Sequence, residues 1–232
     1  MARSRPSRRS FIHAATGLGV TLPFAQSLRG ATLLEELMRT PEQTAGPFYP
    51  VPEIAKQTHS DADLTRQAAD GPVAEGEIIQ LEGQVVGIDG KPIRGSIVEV
   101  WQACHSGRYQ HTRDTNPAPL DPNFQYWARV TTTDEGKYSL KTIVPGKYPG
   151  RTPHVHFRIL AEGYPELVTQ MYFEKFGEAN QKDGIYGRLS QPQKERVTVA
   201  FAPADIAAGT PAGNFRIVLA PQASDRATPP MP

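Results

Sequence analysis

Short apolar runs separated by turn residues dominate the chain from Ile78 onward. The alternation is plain in Ser96–Gln102, where Val98, Val100 and Gln102 share one face and Ile97 lies on the other. That is the two-residue period of a half-buried strand. The pattern predicts strands over Ile78–Ile88, Ser96–Ala103, Ala128–Thr133, Tyr138–Ile143, His154–Leu160, Val168–Phe173, Arg196–Phe201 and Asn214–Leu219. Asp89-Gly90, Asp134-Glu135-Gly136 and Pro145-Gly146 supply turns between them. Short strands at this spacing predict an all-β fold, an antiparallel β-sandwich of about eight strands with long loops. Before Ile78, Leu33–Met38 suits a helical turn or two, Pro41–Pro52 is extended and proline-studded, and 53–75 is loop-like. The expected organisation is a leader (1–30), an N-terminal extension wrapping the core (31–77), the sandwich core (78–220) and a loose tail (221–232).

Composition narrows the function classes. With 20 Gly and 22 Pro in 232 residues, the chain suits many turns better than a helix bundle. The 25 basic and 24 acidic residues nearly cancel, so a basic nucleic-acid binder is disfavoured. No apolar run is long enough for a membrane-spanning helix, so no stable membrane insertion is expected. A single cysteine excludes an internal disulfide framework and a cysteine-based zinc site.

The first residues carry Arg3, Arg5, Arg8 and Arg9, followed by the apolar stretch Ala14–Ala25. A charged start and a short apolar run mark a signal peptide. Ser7-Arg8-Arg9-Ser10-Phe11-Ile12 resembles the bacterial twin-arginine export motif. Export to the periplasm or the medium is therefore expected. Cleavage after Ala25 removes four arginines and no acid, so the basic balance belongs to the leader.

His154-Val155-His156 is the sharpest chemical feature. In a strand, residues i and i+2 project from one face, so both imidazoles enter one space on a rigid support. Tyr148 lies six residues before His154 and Arg151 three, and Tyr109 follows the predicted strand that contains Trp101-Gln102. A phenol with a pKa near ~10 becomes a ligand only beside a strongly polarising cation. Ferric iron is the natural candidate, whereas zinc favours cysteine, histidine or carboxylate. Calcium and magnesium want several carboxylates. A ferrous site of two histidines and a carboxylate stays open if a distant acid joins the pair. His59, His105 and His111 have no evident partner and read as solvated, and Cys104 reads as a small buried hydrophobe.

At these residues the sequence resembles the intradiol ring-cleavage dioxygenase family, in its protocatechuate 3,4-dioxygenase-like branch, over most of residues 40–219. The likeness rests on Thr44-Ala45-Gly46-Pro47-Phe48-Tyr49, Val98-Glu99-Val100-Trp101-Gln102-Ala103 and Gly107-Arg108-Tyr109. It continues through Leu120-Asp121-Pro122-Asn123-Phe124, Pro145-Gly146 with Tyr148, Arg151-Thr152-Pro153-His154-Val155-His156-Phe157 and Thr169-Gln170-Met171-Tyr172-Phe173. The resemblance implies one non-haem Fe(III) held by Tyr109, Tyr148, His154 and His156, with Tyr148 and His156 axial. It implies a catechol-type substrate cleaved by O2 to a cis,cis-muconate. Arg151 and Gln170 are the implied polar catalytic residues, and Gly46, Pro47 and Tyr49 the implied substrate-pocket segment.

Only Pro149-Gly150 separates Tyr148 from Arg151, which predicts an open mouth. Too little sequence precedes residue 40 for the N-terminal helical domain of the catechol 1,2-dioxygenase branch. A homo-oligomer and a pairing with a homologous chain both stay open. The alternative reading is a non-catalytic transthyretin-like binding module, suggested by the run Gly83–Gly90 and Ser96–Val100.

Overall fold

The computed structural model describes residues 38–50, 61–203 and 209–221. The leader, the end of Pro41–Pro52 with the segment 53–60, most of Leu33–Met38, residues 204–208 and the tail beyond 221 lie outside the described residues. Two sheets face each other. One has the strand order β4-β1-β9-β8 and the other β3-β2-β5-β6-β7. The strands are β1 (Ile78–Gly87), β2 (Ile97–Trp101), β3 (Trp127–Thr131), β4 (Lys137–Ile143), β5 (His154–Leu160), β6 (Leu167–Phe173), β7 (Thr198–Val199), β8 (Ala202–Pro203) and β9 (Pro211–Leu219). Two short helices, α1 (Gly177–Lys182) and α2 (Gln191–Val197), separate β6 from β7.

The sandwich expected from the sequence is present, with two differences. β1 pairs with β9, and β6 with β7, in parallel rather than antiparallel. Most of the predicted strand Arg196–Phe201 is also absent: helix α2 runs to Val197, and only Thr198–Val199 extends. Gln193 accepts the Ser190 N–H at 2.9 Å, three residues back, and Pro192 sits in the first turn. Both features favour a helix start over a strand.

Alternation decides what faces what. Val98 and Val100 of β2, Val155, Phe157 and Ile159 of β5, and Met171 and Phe173 of β6 meet Leu81, Val85, Leu140, Phe215 and Ile217 from the opposite sheet. Burial of these side chains is the main favourable term, roughly 1.5–3 kcal/mol per large apolar residue. Gly83 of β1 pairs with both Tyr138 and Phe215. A Cβ at Gly83 would collide with the Tyr138 phenol, whose hydroxyl donates to the Phe215 carbonyl at 2.7 Å.

Residues of the other parity point away from this core. On the five-stranded sheet they are Glu99 and Trp101, His154, His156 and Arg158, and Gln170 and Tyr172. The register sets Trp101, His156 and Gln170 abreast, and His154 beside Tyr172. This outer face is nevertheless buried, because the N-terminal extension covers it. Gln43 donates its backbone N–H to Val168 O at 2.8 Å, along the stretch of β6 that β7 leaves free. Its side-chain amide donates to Gln170 O at 3.0 Å and to Thr169 Oγ1 at 3.1 Å.

Candidate metal centre

Three chain segments bring four rings together on that covered face. The start of β5 supplies His154 and His156, the β4–β5 connection supplies Tyr148, and the loop after β2 supplies Tyr109. The two Nε2 atoms stand 3.2 Å apart, and Tyr148 Oη is 3.4 Å from His154 Nε2. Tyr109 and Tyr148 have ring centroids 5.7 Å apart, and Tyr109 and His156 6.4 Å.

Each ring is oriented by a neighbour. His154 Nδ1 lies 2.7 Å from the Thr152 carbonyl, which can only accept, so Nδ1 carries the proton and Nε2 presents a lone pair. Trp101 stacks on His156 at 4.8 Å with an interplanar angle of 8°. Tyr109 packs on Phe48 at 4.8 Å, and its backbone N–H donates to Asp114 Oδ2 at 2.7 Å. Pro149-Gly150 forms a tight turn, with Gly150 at φ 79° and Arg151 N–H donating to Tyr148 O at 3.0 Å. Pro at the second and Gly at the third position suit a type II turn. The turn sets Arg151 Nη1 3.3 Å from Tyr148 Oη.

Burial controls the charge states. Desolvation, then the Arg151 charge, lowers the His154 pKa to about 3. Desolvation and the neighbouring His154 push His156 well below its ordinary value. Both imidazoles are therefore neutral, as metal ligands must be. Burial, then Tyr148, holds Tyr109 well above the ordinary phenol range. Burial also raises Tyr148, but there the Arg151 guanidinium pulls in the opposite direction.

A trivalent iron suits this donor set. Tyr109 Oη is buried with no hydrogen-bond partner, an arrangement that is costly unless something else meets the oxygen. The Nε2 atoms of both imidazoles converge on the same space, that of His154 with its lone pair presented. A hard, highly charged cation would lower both phenol pKa values and offset their desolvation. Among the described residues no cluster of three His, Cys, Asp or Glu side chains could hold a metal. The described residues thus build neither a zinc site nor a two-histidine-one-carboxylate site.

A cavity of about 610 Å³ opens beside the rings, lined by Gly46, Pro47, Phe48, Tyr148, Arg151 and Ile185 among others. Gly46, at φ 67°, lies over His156; a Cβ there would come within 3.5 Å of the imidazole. Arg151 Nη2 donates to Gln170 Oε1 at 2.5 Å, and Gln170 Nε2 donates to Thr44 O at 2.8 Å. Gly46 and Pro47 border the cavity. Tyr49 is not among the lining residues. Its hydroxyl donates to Glu99 Oε2 at 2.8 Å, and its ring meets Trp101 edge-on at 4.9 Å. Tyr49 buttresses the tryptophan that stacks on His156. Phe48 and Ile185 line the cavity without having been singled out, since an apolar residue in a loop carries no sequence signal of its own.

Cys104 is fully buried. His105 is not simply solvated: Nε2 lies 3.1 Å from Glu75. His111 packs on Phe48 at 5.7 Å. His59 lies outside the described residues.

Known proteins match this chain in both sequence and structure. The Dioxygenase family model matches residues 46–187. The protocatechuate 3,4-dioxygenase beta chain of Burkholderia cepacia is 38% identical over 183 residues, covering 74% of this chain and 72% of that protein. The alpha chain from Pseudomonas putida is 33% identical over 177 residues, covering 72% of this chain and 85% of that protein. The chain spans about half the length of a catechol 1,2-dioxygenase from Acinetobacter lwoffii, at 31% identity over 57% of its own residues. Among solved structures, the dioxygenase domain of a carbohydrate-binding fusion protein from Streptomyces sp. SirexAA-E has a TM-score of 0.60 at 28% identity. That match covers 79% of this chain and 99% of that one.

Proposed function

The chain belongs to the intradiol ring-cleavage dioxygenases, iron enzymes that use O2 to open a catechol ring between its two hydroxyl-bearing carbons, and on that premise we propose that Tyr109, Tyr148, His154 and His156 hold one Fe(III) here. The observation that carries the ligand assignment is the buried, unpartnered Tyr109 hydroxyl beside two converging neutral imidazoles. The non-catalytic module reading has no use for such a set, and the relatives are catalysts.

Held there, ferric iron would supply Lewis acidity that draws electron density from a catechol's oxygens and readies its ring for O2. The protein's own groups do the rest. The 610 Å³ cavity admits a planar aromatic ring past Gly46, Pro47 and Phe48. Tyr148 is the more accessible of the two phenols and has Arg151 beside it. It is the group suited to exchange a proton with a substrate hydroxyl. The Arg151 guanidinium on the cavity wall stabilises negative charge that develops on the ring. Gln170 holds that guanidinium through its Oε1 and is itself anchored to the Thr44 carbonyl. Both oxygen atoms of O2 enter the product, a cis,cis-muconate, so no external reductant is needed.

The test is iron analysis combined with an oxygen-uptake screen over catechol, protocatechuate, hydroxyquinol and chlorocatechols. The expected result is one iron per chain, a reddish phenolate-to-iron band, and one O2 consumed per ring opened. An iron-free protein that consumes no O2 with any of these substrates overturns the reading.

The leader supports export by the twin-arginine route to the periplasm or medium, a route that carries proteins folded with their metal in place. Cell fractionation tests this: Arg8→Lys/Arg9→Lys should retain the protein in the cytoplasm, and an unchanged distribution refutes the export proposal. The beta chain of one protocatechuate 3,4-dioxygenase and the alpha chain of another both match this sequence, which favours assembly with a second copy or a homologous chain.

A further inference from the structure

One buried acid near the site takes no part in the chemistry above. Asp183 follows α1 and is 2% exposed. Its Oδ2 accepts the Arg151 Nε–H at 2.8 Å and the Thr152 N–H at 3.0 Å. Its Oδ1 accepts the Ile185 N–H at 2.8 Å and the Tyr186 N–H at 3.1 Å. Every acceptor position thus meets a donor, which is the condition for burying a charge at low cost.

The bonds around Arg151 divide by direction. Nε is tied to Asp183 and Nη2 to Gln170, and Nη1 faces the Tyr148 oxygen at 3.3 Å. Two nitrogens are fastened to the scaffold and the third points at a proposed ligand. Arg151 and Ile185 line the cavity, but Asp183 does not. An untethered arginine would sample many rotamers, and ordering it during the reaction would cost side-chain entropy. A guanidinium fixed beforehand avoids that cost.

We propose that Asp183 is a positioning residue for ring cleavage: it fixes the Arg151 guanidinium toward the cavity and acts only through Arg151. This rests on the dioxygenase reading above. Two effects of the acid compete. Its negative charge weakens the field of the guanidinium at the substrate, whereas its geometry aims that field. In Asp183→Asn one oxygen becomes an NH2 group, and that donor meets other donors wherever the amide turns. Aim is lost as well as charge, so the variant slows the reaction. If charge neutralisation dominated, the variant would be faster.

The test is a double-mutant cycle on the iron-loaded enzyme with Asp183→Asn, Arg151→Ala and the pair. It reads kcat/KM for a cleaved catechol, iron per chain, and anaerobic catechol affinity from the shift of the visible band. Asp183→Asn should keep its iron and lose roughly 10–100-fold in kcat/KM. In the Arg151→Ala background the same change should cost less than about 2-fold in kcat/KM and in anaerobic affinity, because its target is gone. An equal loss in both backgrounds overturns the inference, and so does a faster variant or loss of the iron. If Asp183→Asn does not fold, Asp183→Glu replaces it in the cycle; failure of both to fold makes the acid a folding element and also overturns the inference. A wild-type protein that consumes no O2 with any catechol sinks the dioxygenase reading and this inference with it. An active wild type with an additive cycle sinks only the role of Asp183.

Discussion

His154→Ala is expected to leave the purified protein with little iron and to abolish ring cleavage. Changes to residues that only orient ligands typically cost 10–100-fold in metal affinity or activity. Removing a ligand outright should exceed that range, so turnover should fall by about 1,000-fold or more. His154 is held by the Thr152 carbonyl at 2.7 Å and sits on a strand, so its Nε2 is aimed by the backbone itself. Tyr109→Phe separates coordination from packing. It removes one oxygen that has no other partner and keeps the ring against Phe48. Losing an unsatisfied buried hydroxyl should leave thermal stability of the iron-free protein unchanged or slightly higher. Iron content and the visible band should drop all the same. Metal analysis, absorbance and a melting curve on both variants make the check. Full iron and normal turnover in either variant would remove that residue from the ligand set.

The two histidines were legible because their spacing carries geometry by itself. A strand was predicted over His154–Leu160, and β5 has those bounds. Given the strand, i and i+2 on one face follow from the pleat. The bend that brings Arg151 to Tyr148 is equally local, because Pro149-Gly150 forms the turn by itself. Less legible was anything decided across the chain. β9 runs parallel to β1 from more than a hundred residues away, and no local pattern distinguishes a parallel neighbour from an antiparallel one. The run Arg196–Phe201 reads as a strand, while Ser190, Pro192 and Gln193 hold the start of a helix that ends at Val197. Asp183 beside Lys182 looks like an ordinary surface acid until the fold buries it against Arg151. Tyr49 belonged to a recognisable segment, but which face its ring would take depended on Glu99 and Arg158, far away in sequence.

Gly146→Ala should unfold the protein at lower temperature and release its iron as well. The loop bearing Tyr109 and the connection bearing Tyr148 touch backbone to backbone. The Cys104 carbonyl accepts both the Gly107 N–H at 3.0 Å and the Gly146 N–H at 2.9 Å. A Cβ on Gly146 would collide with the His105 carbonyl and the Gly107 nitrogen, and one on Gly107 with the Lys147 carbonyl. No side chain can rotate to relieve such contacts, so the two segments must separate. Overpacking of this kind costs typically 1–3 kcal/mol and occasionally more. For a chain of this size each ~1 kcal/mol lowers Tm by about 2–4 °C. The same displacement carries Tyr109 away from Tyr148, whose ring centroids are now 5.7 Å apart, and a metal sphere does not stretch to follow. The prediction is therefore a joint one, in which Tm and iron-to-chain ratio fall together and added iron does not restore the visible band. Gly107→Ala should behave alike with further strain, because Gly107 sits at φ 84°. A variant that melts early yet keeps its full iron and band would mean that the two phenols are positioned independently of the glycine contact.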